Sequence, residues 1–376
     1  MNIFYNPVHT IQSEGAVNEI PRIINEISSE MKNILLIIWN ENVLEIEVFK
    51  NLVKSEEHKV KAICFNESNP TVEQLFNVYS QTKSFSPNVI IAVGGGSVMD
   101  VGKSLCCIYG SEISTVDELR NIISQKKYKA PISKWIGVPT TAGTGSEVTC
   151  WATIWDPEKG VKMSVESQKN YAYAAVVDPN LTEGMPVSLA VSSALDAVAH
   201  AVESYWANGS NVVSKGIALY AVRTIMSHID ELIKGDKKAH IYMSQGSLMA
   251  GMAFSNTKTT ACHSISYPLT MKYHIPHGTA VSMLLAPVFE INQAKTENPA
   301  LLLEALGVKN VNELSQRIHG ILKSANIPSS LEEWNVDYND ISYLAEHGIT
   351  KGRADNNPVN ITTDTIEDIL KSIYKA

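Results

Sequence analysis

The chain has 376 residues, 44% of them hydrophobic and 19% charged, with a net charge of -8. That balance supplies two ordinary globular cores, and the acidic total with no basic run argues against nucleic acid as the main partner. No apolar run reaches the roughly 18 residues a membrane helix needs, and residues 1–10 lack a basic segment followed by an apolar one, so neither a membrane span nor a signal peptide is expected. Five cysteines, Cys64, Cys106, Cys107, Cys150 and Cys262, are scattered without CxxC spacing. Reduced, mostly buried thiols in a soluble cytoplasmic protein are therefore expected.

Strand and helix alternate through the first half. Residues 33–38 are a short run rich in Ile and Leu, followed by a helical pattern to about Lys54. A second run covers 60–65 with a helix over 71–81, and a third covers 88–93. Such alternation predicts a Rossmann-like parallel sheet with helices on its faces, and such sheets bind ligands at the carboxyl ends of their strands. The third run ends in Gly94-Gly95-Gly96-Ser97 and opens a helix over 98–109. Glycines let a backbone approach a phosphate closely, and the free N–H groups of a helix start favour an anion. The spacing is not the usual dinucleotide fingerprint, since Met99 stands where its third glycine would fall. It also misses the nucleoside-triphosphate loop, because Ser97 stands where Gly102-Lys103-Ser104 would need a glycine. A tight turn without a ligand is the competing reading. Asp100, in the first turn, is either a helix-start residue or a group facing a bound cofactor.

A strand over 135–139 feeds Thr140-Thr141-Ala142-Gly143-Thr144-Gly145-Ser146-Glu147, a loop dense in hydroxyl and N–H donors suited to a phosphate, a ribose or an amide. Residues 150–155 and 161–165 flank Asp156-Pro157-Glu158-Lys159-Gly160 and read as a hairpin, with Lys162 a lone cation on the return strand. Asp178-Pro179-Asn180 closes this half. From about Met185 long Ala/Leu/Met-rich helical patterns take over, at 189–206, 213–232 and 239–254, with more to the end. The expected domains are 1–183, α/β, and 184–376, all-helical.

Asp196 and His200 lie four apart in the first of these helices, so both side chains face one spot. His263 and His277 follow in Cys262-His263-Ser264 and Ile275-Pro276-His277-Gly278. Three imidazoles and a carboxylate make a complete ligand set for Fe²⁺ or Zn²⁺. An Asp/His pair at this spacing is most often a surface hydrogen bond, but here it sits among Ala and Val, where an unpaired charge would cost several kcal/mol.

Gly94-Gly95-Gly96-Ser97-Val98-Met99-Asp100, the Pro139 to Glu147 loop, Asp178-Pro179, and His263 with Ile275-Pro276-His277-Gly278 together resemble the iron-containing (group III) alcohol dehydrogenases, over nearly the whole chain and in the family's order. The resemblance implies a dehydroquinate synthase-like architecture: an NAD(P)-binding α/β domain, then an all-helical metal-binding and substrate domain. It implies oxidoreduction of a small alcohol or aldehyde with NADPH or NADH and Fe²⁺ (or Zn²⁺). Asp196, His200, His263 and His277 match the four metal ligands. Gly95, Gly96, Ser97, Thr140, Thr141 and Thr144, with Asp100 and Ser146 beside them, match the cofactor loops, and Lys162 matches a basic residue near the nicotinamide ribose. The family's usual acidic residue after the second strand is absent; Asn40, beside Trp39, stands there, and a neutral residue does not repel a 2′-phosphate. Family members are commonly oligomers, so a homodimer is expected.

Two further features set this chain apart. Where the family has a second histidine four residues after the third ligand, this chain has Tyr267. Tyr267 and His274 are the candidate proton donors, with an ordered water as a third route. With Lys351-Gly352-Arg353-Ala354-Asp355-Asn356-Asn357-Pro358, this wording resembles the branch that reduces phosphonoacetaldehyde to 2-hydroxyethylphosphonate. Lys258, Lys272 and Arg353 are the candidate cations for such a substrate. The alternatives are a general short-chain alcohol dehydrogenase of the same family, a cyclising lyase of the dehydroquinate synthase type, and a non-catalytic metal- and nucleotide-binding protein. The lyases carry Glu where Asp196 sits.

Overall fold

The computed structural model describes residues 3–28, 30–129, 131–350 and 352–375. Chain contacts divide it into two units: Asn6–Thr141 with Ser146–Leu181, and Thr182–Ala376 with Met1–Tyr5 and Ala142–Gly145.

The first unit is built on a six-stranded parallel sheet. Its strands are β1 (His9–Gln12), β2 (Asn33–Ile38), β3 (Lys59–Cys64), β4 (Val89–Gly94), β5 (Lys134–Pro139) and, after the hairpin of β6 (Trp151–Asp156) and β7 (Val161–Glu166), β8 (Ala174–Val177). The sheet order is β1-β8-β5-β4-β2-β3, every neighbouring pair being parallel. Helices α1 (Ile20–Ile27), α2 (Glu47–Lys54), α3 (Val72–Thr82), α4 (Gly96–Ile108) and α5 (Val116–Gln125) make the crossovers. The run Ile34 to Ile38 is wholly buried because both faces of β2 are covered. Leu35 and Ile37 enter one apolar cluster, with Leu75 and Leu105. Ile34, Leu36 and Ile38 enter the other, with Ile20 and Phe49. This is the period-2 alternation of a strand sandwiched between helical layers.

The chain runs from β2 outward to β3, then returns to the other side of β2 as β4. The strand order therefore reverses between β2 and β4, the place where open α/β sheets take ligands. At the carboxyl ends there stand Trp39 and Asn40 after β2, and Gly95 to Ser97 after β4. The hairpin forms as expected, with Trp155 opposite Lys162. Edge strand β1 and the four-residue β8 were not anticipated, each being too short to show a period of its own.

The second unit is helical: α6 (Val187–Trp206), α7 (Val212–Ile233), α8 (Ala239–Thr257), α9 (Ala261–Tyr273), α10 (His277–Asn292), α11 (Pro299–Leu306), α12 (Val311–Ser324), α13 (Ile341–His347) and α14 (Thr363–Ser372). One continuous apolar core runs through α6 to α14. Residues 142–145 pack here. A Cβ on Gly143 would lie 2.8 Å from the Ser193 carbonyl, and one on Gly145 2.4 Å from the Gly251 Cα. No helix, among the described residues, is long and apolar enough to cross a membrane.

Candidate metal centre and cofactor loops

Helix α6 is Ala-rich and without glycine or proline, so it continues unbroken for 20 mostly buried residues. Its period puts Asp196, His200 and Glu203 on one face. Helix α9 brings His263 and the first turn of α10 brings His277. Asp196, His263 and His277 offer donor atoms within 4.8 Å of one another. Oδ1 of Asp196 lies 3.5 Å from Nε2 of His263. His200 stands alongside this trio, its Nδ1 3.9 Å from Oδ2 of Asp196. Its ring stacks between Phe254 and His263, at centroid distances of 4.2 and 4.4 Å. Donors bound to one ion at about 2.0–2.2 Å lie at most about 4.4 Å apart, a limit that the 3.5 Å and 3.9 Å separations from the Asp196 carboxylate meet.

The donor chemistry fits as well. Oδ1 of Asp196, Nδ1 of His200 and Nε2 of His263 are all buried without a hydrogen-bond partner among the described residues, a costly arrangement that a cation would relieve. Burial pushes the His200 ring down to about 4, leaving a neutral imidazole with a lone pair to give. Burial alone would raise the Asp196 carboxyl, yet His200, His263 and His277 hold it well below the ordinary carboxylate range. Burial would likewise lower His263, but Glu203 and then Asp196 overcome it and raise the ring to about 10. A positive charge is thus drawn to the space between these carboxylates, and a metal ion would supply it in place of the ring proton.

Glu203 is the residue the sequence reading missed. Fully buried, it accepts a hydrogen bond through Oε2 from Nδ1 of His263. Through Oε1 it accepts from the hydroxyl of Thr260 at 2.8 Å and from the backbone N–H of Cys262 at 2.7 Å. A carboxylate only accepts, so Nδ1 carries the proton and Nε2 is left to face Asp196. The same carboxylate satisfies the first amides of α9, which has no side-chain cap of its own. The sequence did carry a signal: Glu203 follows His200 by three and Asp196 by seven, spacings that share a helix face.

The candidate cofactor loops are ordered by their own side chains. Ser97 accepts at Oγ from the backbone N–H of Asn69 at 3.1 Å, so its hydroxyl ties down a neighbouring loop. Asn40 caps the following turn by accepting from the N–H of Asn42 at 2.8 Å. Asp100 accepts from Ser146 Oγ at 3.1 Å and from the Thr153 N–H at 3.0 Å. It joins the Thr140 loop to the hairpin; burial raises its carboxyl, against the opposing pull of the Lys103 and Lys162 charges. Beneath it, fully buried Lys103 donates to the Ser146 carbonyl and Oγ, Thr149 Oγ1 and the Trp151 carbonyl, at 2.8 to 2.9 Å. Gly95 and Gly96 stay partly open at the start of α4, and Thr141 stands beside Gly95. The Thr140 N–H donates to Gly94. Thr144 lies in the segment that packs with the helical unit.

The family descriptions "Iron-containing alcohol dehydrogenase" and "Fe-containing alcohol dehydrogenase family, C-terminal" match residues 7–179 and 190–374. The chain belongs to the iron-containing alcohol dehydrogenase family. It is 30% identical over 329 residues to the NADPH-dependent butanol dehydrogenase of Clostridium saccharobutylicum, covering 84% of each. It is 29% identical to the NAD-dependent methanol dehydrogenase of Bacillus methanolicus, over 99% of this chain and 100% of that protein. A solved structure of sulfoacetaldehyde reductase from Bifidobacterium kashiwanohense, in complex with NAD+, superposes with a TM-score of 0.90 at 25% identity, covering 100% of this chain and 99% of that one. An iron-type alcohol dehydrogenase is an oxidoreductase, which sets aside the lyase and the non-catalytic readings. Iron and a nicotinamide cofactor are the family's equipment.

The remaining candidates separate. The Tyr267 ring stacks on His277, 5.8 Å between centroids and 4° from parallel. His274 is exposed, at φ 54 in the C-cap of α9. It makes no side-chain hydrogen bond, ion pair or ring contact among the described residues, so nothing links it to the trio. Lys272 is already committed: its ammonium pairs with Asp340 at 2.5 Å and lies over the Tyr343 ring at 4.3 Å. Lys258 caps α8 at φ 63 and ψ 178. Arg353 has a buried Nη1 without an acceptor among the described residues. Lys351, first residue of the C-terminal motif, lies outside the described residues. A second acidic cluster, Glu73, Asp156 and Glu158, is filled by the Arg120 guanidinium at 2.5 to 3.0 Å.

Proposed function

We propose that this enzyme reduces short aldehydes bearing an anionic group, phosphonoacetaldehyde foremost, with NADPH or NADH and a divalent iron. The observation that carries the reading is the set of three buried, unpartnered donor atoms on Asp196, His200 and His263. Asp196, His263 and His277 would hold the cation, with His200 completing the set. When bound, the ion supplies Lewis-acid polarisation of a carbonyl and the nicotinamide supplies hydride. Glu203 keeps His263 in the tautomer that offers Nε2. Phe254 and Tyr267, stacked on His200 and His277, hold those rings in place and limit water. Gly95, Gly96 and Thr141 frame the open start of α4, where a cofactor phosphate would meet unpaired N–H groups. Asn40, being neutral, tolerates the 2′-phosphate of NADPH. Tyr267 is the proton donor favoured by position. A homodimer in the cytoplasm completes the reading.

The test is a purified enzyme analysed for iron and zinc, then supplied with NADPH or NADH and a panel of short neutral and anionic aldehydes while absorbance of the reduced nicotinamide is followed. Metal-dependent oxidation of the cofactor supports the reading. Full turnover after stripping and verified absence of metal sinks it.

A further inference from the structure

Among the described residues, Arg353 is the only Arg or Lys with a buried, unpartnered side-chain donor. It also makes no ion pair with a described carboxylate. A guanidinium keeps its charge at any physiological pH, and a buried charged donor without an acceptor is costly. A second buried donor without a partner lies close in the hydrogen-bond network. Thr259 is 3% exposed, and its Oγ1 has no hydrogen-bond partner among the described residues.

One side chain stitches these two segments together. The backbone N–H of Asn356 donates to the Arg353 carbonyl at 3.0 Å. Its Nδ2 donates to the carbonyls of Thr257 at 2.7 Å and Thr259 at 3.1 Å. The segment is also fastened beside the metal centre: Thr350 N–H donates to Ser264 Oγ at 2.7 Å, and that hydroxyl donates to the Gly348 carbonyl at 2.6 Å. Ser264 is the neighbour of His263. Between them, Lys258 holds φ 63 and ψ 178, a conformation that L-residues rarely adopt and that collects at ligand sites. The start of α9 is not itself the anion site, because Glu203 already accepts from the N–H groups of Cys262 and His263. The side chains must do the work.

Resting on the aldehyde-reductase reading above, we propose that Arg353 and Thr259 form a subsite for a tetrahedral oxyanion, and that it selects phosphonate- or sulfonate-bearing short aldehydes over neutral ones. The planar fork of Arg353 suits two oxygens of such a group, and Thr259 supplies a third donor.

Calorimetry on the metal-loaded full-length enzyme, with methylphosphonate and with methanesulfonate as probes, tests this without turnover. Wild type should bind methylphosphonate, R353Q at least tenfold more weakly, T259V a fewfold more weakly, and R353K in between, because a lysine keeps the charge but not the fork. The two probes tell a doubly charged phosphonate site from a sulfonate site. The ratio of kcat/KM for phosphonoacetaldehyde over butanal should fall at least tenfold in R353Q. Equal binding by wild type and R353Q, or binding of neither probe by wild type, overturns the subsite; butanal reduction with no such binding would leave the reductase reading standing. Arg353-dependent binding by an enzyme that reduces no aldehyde would uphold the subsite and sink the reductase reading.

Discussion

Glu203 and His263, sixty residues apart in sequence, are joined by a hydrogen bond from the ring Nδ1 to a carboxylate that no solvent reaches. Everything His263 offers at Nε2 depends on that contact. Outer partners of this kind typically contribute 10- to 100-fold in metal affinity. Glu203→Gln is therefore expected to weaken metal binding by about that factor, measured by competition with a chromogenic chelator. An unchanged affinity would show that the ring orients itself.

Gly278 follows His277 and passes so close to α6 that a Cβ there would lie 2.1 Å from the Ser192 carbonyl oxygen and 2.9 Å from Asp196 Cβ. Both obstacles are rigid. Gly278→Ala should push α10 from α6 and cost about 2–3 kcal/mol of stability, with metal content falling in parallel. Thermal melting and metal analysis on one preparation would check both; a stable, fully metallated variant would contradict the packing argument.

Because the donors are preassembled, the folded chain should bind metal and the unfolded chain should not. With free metal at 100 times its Kd, the holoenzyme should exceed the apoenzyme by about 2.7 kcal/mol. Chelation should lower the melting temperature accordingly, and Asp196→Asn should melt at the same point with or without added metal.

Tyr267→Phe and His274→Ala should behave differently. The exposed His274 is expected to leave turnover within about twofold at every pH, as for surface changes away from a site. Loss of the Tyr267 hydroxyl should lower kcat by roughly 10²-fold, the lower end for a positioned proton donor. Turnover of the Phe variant that matches wild type across the pH range would remove Tyr267 and leave an ordered water.

A pH effect is expected from the α/β unit by itself. Glu147 is buried, and burial raises its carboxyl from 4.5 to about 7. The native state therefore keeps a proton that the unfolded chain has lost. Stability from this residue falls as pH rises from about 4.5 to about 7 and is flat above. The loss is on the order of 3 kcal/mol. Glu147→Gln should flatten this slope in apoenzyme denaturation curves; an identical slope in both proteins would refute it.

Much of this was legible beforehand wherever the signal is local. The buried run of β2, the glycines that close β4, and Asp196 with His200 one helical turn apart are written in spacings of two or four residues, and backbone geometry alone converts such spacings into faces and turns. Which strand neighbours which, the docking of residues 142–145 among helices, the carboxylate of Glu203 beneath His263 and the unanswered guanidinium of Arg353 carry no such mark. They depend on partners tens to more than a hundred residues away, selected by close packing and by the need to satisfy every buried polar group, and only the folded chain settles those together.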